Sequence, residues 1–361
     1  MVRKIQHTKA DSFLIGEMPK GCQLCILGAK LVLFITGICN RSCYYCPISE
    51  RRRNKDVIYA NERLVKKDND IINEAKLMEA EGTGITGGEP LTQFERVINF
   101  IKLLKREFGN GHHIHLYTNG DLLTKPMLEE LISAGLNEIR FHPVGMDPSI
   151  IEYAVDSGID VGCEVPAIPH NESEIIKLAE FLENCNAKFL NLNELEFSPT
   201  NAEALMEKGF RLKNEISTGV KGSEEIAKEI LEWASKQIKK LNLHYCPARL
   251  KMTHQFKNRL LRRAKHVAKP YDEISDEGLL IKGVIFAEGL SIEKLNQLKS
   301  DLMKEFGVPS ELMAVDGEKM RLETAWYVLD KIMRVKKSGL RFAVVKEYPT
   351  ADRLEIEVIP L

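Results

Sequence analysis

Between about residues 31 and 246 short apolar runs alternate with longer stretches in which apolar residues recur every three or four positions. The runs 31–36, 84–86, 114–118, 139–143, 161–168 and 189–197 read as strands. Between them, Val97, Ile101, Leu104 and Phe108 mark one face of a helix, and Asn171 with Glu174 reads as a capping box opening a helix over 175–182. Alternation of strand and helix predicts an α/β unit of parallel strands with helices outside. Period 2 then sorts the polar residues within the strands. With Ile114, Leu116, Ile139, Phe141, Val161, Cys163, Leu195 and Phe197 facing the helices, His115, Tyr117, Arg140, His142, Glu164, Glu194 and Glu196 face the other way. An open sheet covered on both sides needs two apolar faces, so the pattern favours a barrel with a polar lumen.

The pattern changes after Cys246. Residues 280–361 read as strand 283–286, helix 291–306, strand 312–315, helix 323–335 and strands 340–346 and 353–359, enough for a small α+β domain. The expected organisation is therefore an N-terminal extension over 1–29, a barrel over 30–246, a basic helical linker over 247–279 and the α+β domain over 280–361.

A chain of 361 residues fits two compact units better than one. With 51 basic and 52 acidic residues, the overall field cannot grip nucleic acid. A local exception is the segment 249–269, where Arg249, Lys251, Lys257, Arg259, Arg262, Arg263, Lys265 and Lys269 occur without an acid, a pattern that could meet phosphates or RNA. The apolar stretch 31–39 falls far short of the ~18 residues of a membrane span, and the first residues lack the apolar core of a secretory signal. The expected location is a reducing cytoplasm, where cysteines serve as ligands or core residues.

Five of the eight cysteines fall between positions 22 and 46. Cys39, Cys43 and Cys46 directly follow the first predicted strand. Three thiolates on one loop can hold three irons of a cubane cluster and leave the fourth open. At the end of the second strand, Thr86-Gly87-Gly88-Glu89-Pro90 allows close approach to its backbone and offers acceptors suited to an ammonium group.

In this order the two motifs resemble the radical S-adenosylmethionine (SAM) superfamily, including the aromatic Tyr45 before the last cysteine. The Gly-Gly-Glu-Pro-Leu and Tyr-Thr-Asn-Gly segments are most similar to the branch of pyruvate formate-lyase activating enzyme and molybdenum cofactor biosynthesis protein A. Residues 164–169 and 191–197 look like an archaeal subgroup. The resemblance implies a partial (βα)6 barrel carrying a 4Fe-4S cluster on Cys39, Cys43 and Cys46. It further implies that SAM chelates the open iron and is cleaved by one electron, delivered by a ferredoxin or flavodoxin, to a 5'-deoxyadenosyl radical that abstracts hydrogen. Thr86, Gly87, Gly88 and Glu89 would hold the methionine amino group, with Tyr45, Thr118, Asn119 and His142 as further cofactor contacts. Glu164, Glu194, Glu196, Arg140 and Tyr117 are the candidates for contact with a polar substrate, whether nucleoside or RNA, peptide or small metabolite.

Cys22 and Cys25 form a CxxC outside that pattern, and Cys246 is a candidate third ligand for a second cluster or a zinc, with His244 or His254 as a fourth. His112, His113 and His115 are expected to be non-ligands, Cys163 and Cys185 inert thiols, and Trp326 and Tyr327 core. The competing function class is a non-enzymatic iron-sulfur or zinc protein that docks RNA through residues 249–269.

Overall fold

The computed structural model describes residues 2–143, 148–287, 289, 291–334 and 339–361. The chain divides into two compact units, one of residues 1–76 and 80–256 and one of residues 77–79 and 257–361.

In the first unit seven strands lie parallel: β1 (Lys30–Phe34), β2 (Gly82–Thr86), β3 (His113–Thr118), β4 (Glu138–Phe141), β5 (Asp160–Ala167), β6 (Phe189–Glu194) and β7 (Asn242–Cys246). They run in chain order across the sheet, so each crossover returns its strand beside the previous one. An N-terminal hairpin (Ile5–His7 with Phe13–Ile15) adds antiparallel to β7, and a second (Tyr59–Ala60 with Arg63–Leu64) adds antiparallel to β1. Both edges of the parallel sheet are thus paired, which protects an open barrel from edge-to-edge association. The sheet matches a partial (βα)6 barrel extended by β7, a strand that the sequence pattern does not predict.

Helices form where the apolar spacing requires them. The helix Phe94–Phe108 buries Val97, Ile98, Ile101 and Leu104 against the sheet and stops at Gly109. The helix Lys125–Ala134 opens on the Thr124 side chain, which accepts from the Met127 N–H, and closes on left-handed Gly135. The expected capping box at Asn171 does not form: the helix Glu172–Asn184 starts with no side-chain cap, its first turn carrying Glu172 and Glu174 instead.

The second unit is an antiparallel sheet. Its centre is β8 (Leu280–Ala287), flanked by β10 (Arg321–Thr324) and β9 (Met313–Asp316) on one side and by β11 (Leu340–Glu347) and β12 (Glu355–Pro360) on the other. Leu295 and Leu302 of the helix Ile292–Phe306 and Val328, Leu329 and Ile332 of the helix Trp326–Met333 cover one face over Ile285 and Leu322. Two expectations fail here. Glu323 and Thr324 are strand, not helix, part of the strand Arg321–Thr324, because Arg321 and Glu323 pair with charges on one face while Leu322 enters the core on the other. Trp326 and Tyr327 are exposed, at 40% and 51%, on the outer side of their helix. The expected helix end at 335 lies outside the described residues.

Candidate active site in the barrel

The residues between β1 and the hairpin at 59 form a loop over one end of the barrel, tied down by its backbone. The Gly88 N–H donates to the Thr36 carbonyl and the Glu89 N–H to that of Ile38, which sets the Gly-Gly turn beside Cys39. A Cβ on Gly87 would lie 2.6 Å from the Thr36 carbonyl oxygen, and one on Gly88 would strike that of Ile38. Only glycine permits this approach. Asn40 and Arg41 hold the loop from the other side through Asp121, the Asn40 amide at 3.0 Å and the Arg41 Nε at 2.5 Å.

Cys39, Cys43 and Cys46 line a cavity of about 510 Å³ together with Thr86, Gly87, Gly88, Tyr45, Tyr117, Thr118, Asn119 and His142. Burial raises the Cys39 thiol above its ordinary range, so a bound cation would be needed to hold the thiolate. Three thiols, backbone acceptors and a phenol around one cavity form a donor set that could hold an iron-sulfur cluster and a zwitterionic ligand.

Glu89 occupies a different position from the one expected. It is 1% exposed and absent from the cavity wall, because Thr118 Oγ1 (2.8 Å) and the N–H groups of Asn119 (2.7 Å) and Leu91 (3.0 Å) occupy its carboxylate. Burial raises this carboxyl despite the three donors. Glu89 therefore clamps the Gly-Gly turn to the end of β3, Oε1 accepting two of these bonds and Oε2 one. Tyr45 and His142 pair across the cavity at 2.8 Å. His142 Nδ1 must carry the proton, since its partner at 3.0 Å is the Glu164 carbonyl; Nε2 then accepts from the Tyr45 hydroxyl. Burial lowers the His142 pKa, which keeps that neutral tautomer.

Deeper in the lumen the polar residues meet one another. Arg140 is 1% exposed and binds Glu138 (2.5 Å), Glu164 (2.7 Å), the Tyr117 hydroxyl (3.3 Å) and the Cys22 sulfur (3.3 Å). Burial alone would raise the Glu164 pKa, but Arg140 and the amides of Asn193 and Asn191 bring it down to about 2. Arg140 is buried among these groups, although its Nη2 makes no hydrogen bond, whereas Glu164 keeps 18% of its side chain exposed.

Glu194 does not face the lumen. Asn191 and Asn193 take the inward positions of β6, so alternation turns Glu194 outward, where it accepts from the Ala248 N–H at 2.7 Å. Past Glu194 the strand ends, and Glu196 pairs with Lys251 and Thr218. The sequence misses Asn191 and Asn193 because amides between leucines carry no charge signal.

The helix α1 (Lys20–Ile26) brings Cys22 into the lumen, where Asn191 donates to its sulfur at 3.2 Å. Burial pushes the Cys22 thiol up to about 11 and that of Cys246 to about 12, and Cys22 and Cys25 both act electrostatically on Cys246. His244 donates from Nε2 to Ser12 at 3.0 Å, since the Ser12 hydroxyl is given to the Tyr245 carbonyl, and its buried Nδ1 has no partner. His254 is instead bonded to Thr253. Cys163 is buried on the helix side, and the Cys185 thiol lies 3.5 Å from the Leu182 carbonyl. Of the basic segment, Arg249 pairs with Asp11, Lys251 with Glu196, Arg262 with Glu79, and Arg263 with the Pro349 carbonyl.

Comparison with known proteins agrees with this geometry. The radical SAM superfamily model matches residues 33–152, and a domain of unknown function matches residues 278–361. A protein of Methanocaldococcus jannaschii, provisionally named glycyl-radical enzyme activating enzyme, is 42% identical over all of this chain and 96% of its own length. Among solved structures, Streptococcus suis SuiB bound to S-adenosylmethionine aligns with a TM-score of 0.44 at 14% identity, over 69% of this chain and 54% of that one. Methylornithine synthase aligns with a TM-score of 0.42 at 14% identity, over 59% of this chain and 63% of that one. The chain belongs to the radical SAM superfamily, and is an enzyme that uses a 4Fe-4S cluster and S-adenosylmethionine.

Proposed function

We propose that Cys39, Cys43 and Cys46 each bind one iron of the cluster, that SAM occupies the cavity they line, and that a polar substrate meets Tyr117 and Glu164. The observation that carries this reading is that the three thiols, the Gly87–Gly88 turn and the Tyr45–His142 pair border one cavity. When bound, the cluster and SAM supply the one-electron cleavage that generates a 5'-deoxyadenosyl radical.

The chain's own residues position and shield. The backbone acceptors of Thr86, Gly87 and Gly88 hold an ammonium group, and Glu89 keeps them in place. Asn119 bridges β3 to the cysteine loop through Asn40 at 2.7 Å, so the floor and the lid of the cavity move together. Tyr45 and His142 satisfy each other's polar atoms and close one wall to water. Arg140 is a positioning residue that sets Tyr117 and Glu164 for the substrate. The electron donor would be a small carrier such as ferredoxin or flavodoxin, in a reducing cytoplasm. RNA recognition through residues 249–269 has less support, since at least four of its eight basic residues are engaged within the chain.

The full-length likeness to the Methanocaldococcus protein supports a specific product, a glycyl radical on a partner protein. The reading extends to a second iron-sulfur cluster on Cys22, Cys25 and Cys246, with the unpartnered His244 Nδ1 as fourth donor.

Anaerobically reconstituted protein reduced with dithionite should convert SAM to 5'-deoxyadenosine, and Cys39→Ala should abolish this conversion. Product formation that survives Cys39→Ala would sink the assignment. Iron analysis separates one cluster, about four irons per chain, from two, about eight. Deuterium carried from a labelled substrate into 5'-deoxyadenosine identifies the substrate class, and a glycyl-radical resonance on a partner protein identifies an activase.

A further inference from the structure

At the closed end of the barrel, away from the cysteine loop, the lumen holds a second set of ligand atoms. Strand register brings them together: His115 is directly opposite Glu138 across β3 and β4, and His113 lies two residues before His115 on the same face. The three side chains are buried, at 9% (His113), 0% (His115) and 0% (Glu138) exposure. One donor atom from each falls within 4.8 Å of the other two, an arrangement that no other trio of such side chains reaches among the described residues. We propose that His113, His115 and Glu138 bind a divalent transition-metal ion of the zinc class.

The hydrogen bonding around the trio points to a ligand. Neither ring nitrogen of His115 has a hydrogen-bond partner, although the ring is fully buried. His113 Nε2 stands 3.3 Å from Glu138 Oε2 but off the line of a good hydrogen bond. That separation matches the edge of a tetrahedron with metal bonds of ~2.0–2.1 Å, which is ~3.4 Å. The surroundings fix the ligands as outer-shell partners fix a metal site. Arg140 holds Glu138 Oε1 at 2.5 Å, and the Gly21 N–H of α1 donates to Oε2 at 3.2 Å.

The backbone leaves the imidazole its place. A Cβ on Gly84 would lie 2.6 Å from His115 Nε2, and one on Gly21 would lie 2.8 Å from His115 Nδ1. Glycine at both positions lets two backbones close on a ring that bonds to neither. Cobalt, nickel or iron(II) could occupy the same nitrogen and oxygen donors, and zinc is the reference member of the class.

The test uses the full-length protein with its clusters in place. Metal analysis of anaerobically purified protein should find about one equivalent of a non-iron divalent metal beside the cluster iron. X-ray absorption at that metal's edge should show imidazole and oxygen ligands without sulfur. His115→Asn and Glu138→Gln should each weaken Zn²⁺ binding by at least about 100-fold while iron content stays unchanged, and His112→Asn should leave the metal in place. Should the variants fail to fold, Co²⁺ titration of the metal-free wild type decides. One equivalent taken up without sulfur-to-cobalt charge transfer supports the site. Absence of uptake, sulfur ligation, or retention of the metal in His115→Asn overturns it. Iron counts and 5'-deoxyadenosine yields from the same samples keep this result separate from the fate of the cluster.

Discussion

Both units bury a knot of charged residues, and the two knots are built on different principles. In the second unit Lys282, Lys319, Arg321 and Arg353 interlock with Asp272, Asp316, Glu323, Glu347 and Glu355 on the face of the sheet away from the helices. Each carboxylate meets a cation and several meet two: Glu347 accepts from Lys282 at 2.8 Å and Arg353 at 3.1 Å. In the barrel Arg140 pairs with Glu138 and Glu164 together, Lys30 lies over the Tyr117 ring, and the remaining neighbours are amides, thiols, a phenol and imidazole nitrogens, those of His115 without hydrogen-bond partners. Redundant pairing is a structural solution to burying charge. The second unit's knot leaves Asp272 Oδ1 and Arg321 Nε without a hydrogen bond but keeps each in an ion pair, whereas His115 in the barrel has neither, which marks it as open to a ligand.

This contrast is most directly broken by removing one cation from each knot. Arg140→Met removes the arginine partner of Glu138 and Glu164 at once, leaving them only the Gly21 N–H and His113 and the amides of Asn191 and Asn193, and breaking a single buried pair already costs about 3–5 kcal/mol. Its expected effect is at or beyond the top of that range, with loss of soluble protein a realistic outcome. Lys282→Met leaves Arg321, Lys319 and Arg353 to cover Glu323 and Glu347 and unpairs Asp272 alone, and so should fall at the bottom, about 3 kcal/mol. Denaturant melts of the two variants would measure the difference; equal losses would erase the distinction between the knots.

Acid sharpens it. Burial would raise the Glu323 pKa, but Lys282, Arg321 and Arg353 hold it at about 2 against an unfolded value near 4.5. Its stabilisation, about 3 kcal/mol, is complete above pH 4.5 and is lost as pH falls toward 2. His142 has the opposite chemistry and an earlier onset. Its folded pKa is lowered by burial, so below the ordinary histidine value of 6.5 the unfolded chain takes up the proton first and the barrel loses stability. Amide exchange at about pH 5.5 should therefore quicken in β4 and β5 while β8 and β11 stay protected. Simultaneous loss in both units would mean that the two knots do not respond to acid through separate groups.

A smaller effect is expected at the contact between α1 and the lumen. A Cβ on Gly21 would sit 2.6 Å from Arg140 Nη2 and 2.8 Å from His115, so Gly21→Ala forces a shift costing about 1–3 kcal/mol. The matching change at Gly158, where a Cβ would meet nothing within 4 Å but φ is +87°, tests backbone strain alone.

The two knots also differ in how far they could be read from sequence. Cys39, Cys43, Cys46 and the Gly-Gly turn are local, and local spacing survives in a string of letters. The inward placement of Tyr117, Arg140 and Glu164 follows from period 2 and is observed. The same rule misplaces Glu194, because a strand β6 read to 197 takes its phase from Leu195 and Phe197, which lie beyond the true end. The Glu138 contact with His113 is also hidden: it needs the register between two strands, which depends on tertiary packing. In the second unit Arg321 and Glu323 carry no strand signal, since charged residues on a buried face contradict every propensity until their partners from β11 and β12 are in place.

Trp326 shows the limit of the contrast from the side of the surface. An aromatic pair on an amphipathic helix suggests core, yet Trp326 is 40% exposed and its indole N–H donates to Glu273 at 2.6 Å. That bond lies outside the knot, and an exposed hydrogen bond to a carboxylate contributes little. Trp326→Ala should therefore shift stability by no more than about 1 kcal/mol, well below the loss expected for Lys282→Met in the same unit. A melt in which the two variants fall together would mean that the helix Trp326–Met333, and not the ionic face of the sheet, holds this unit folded.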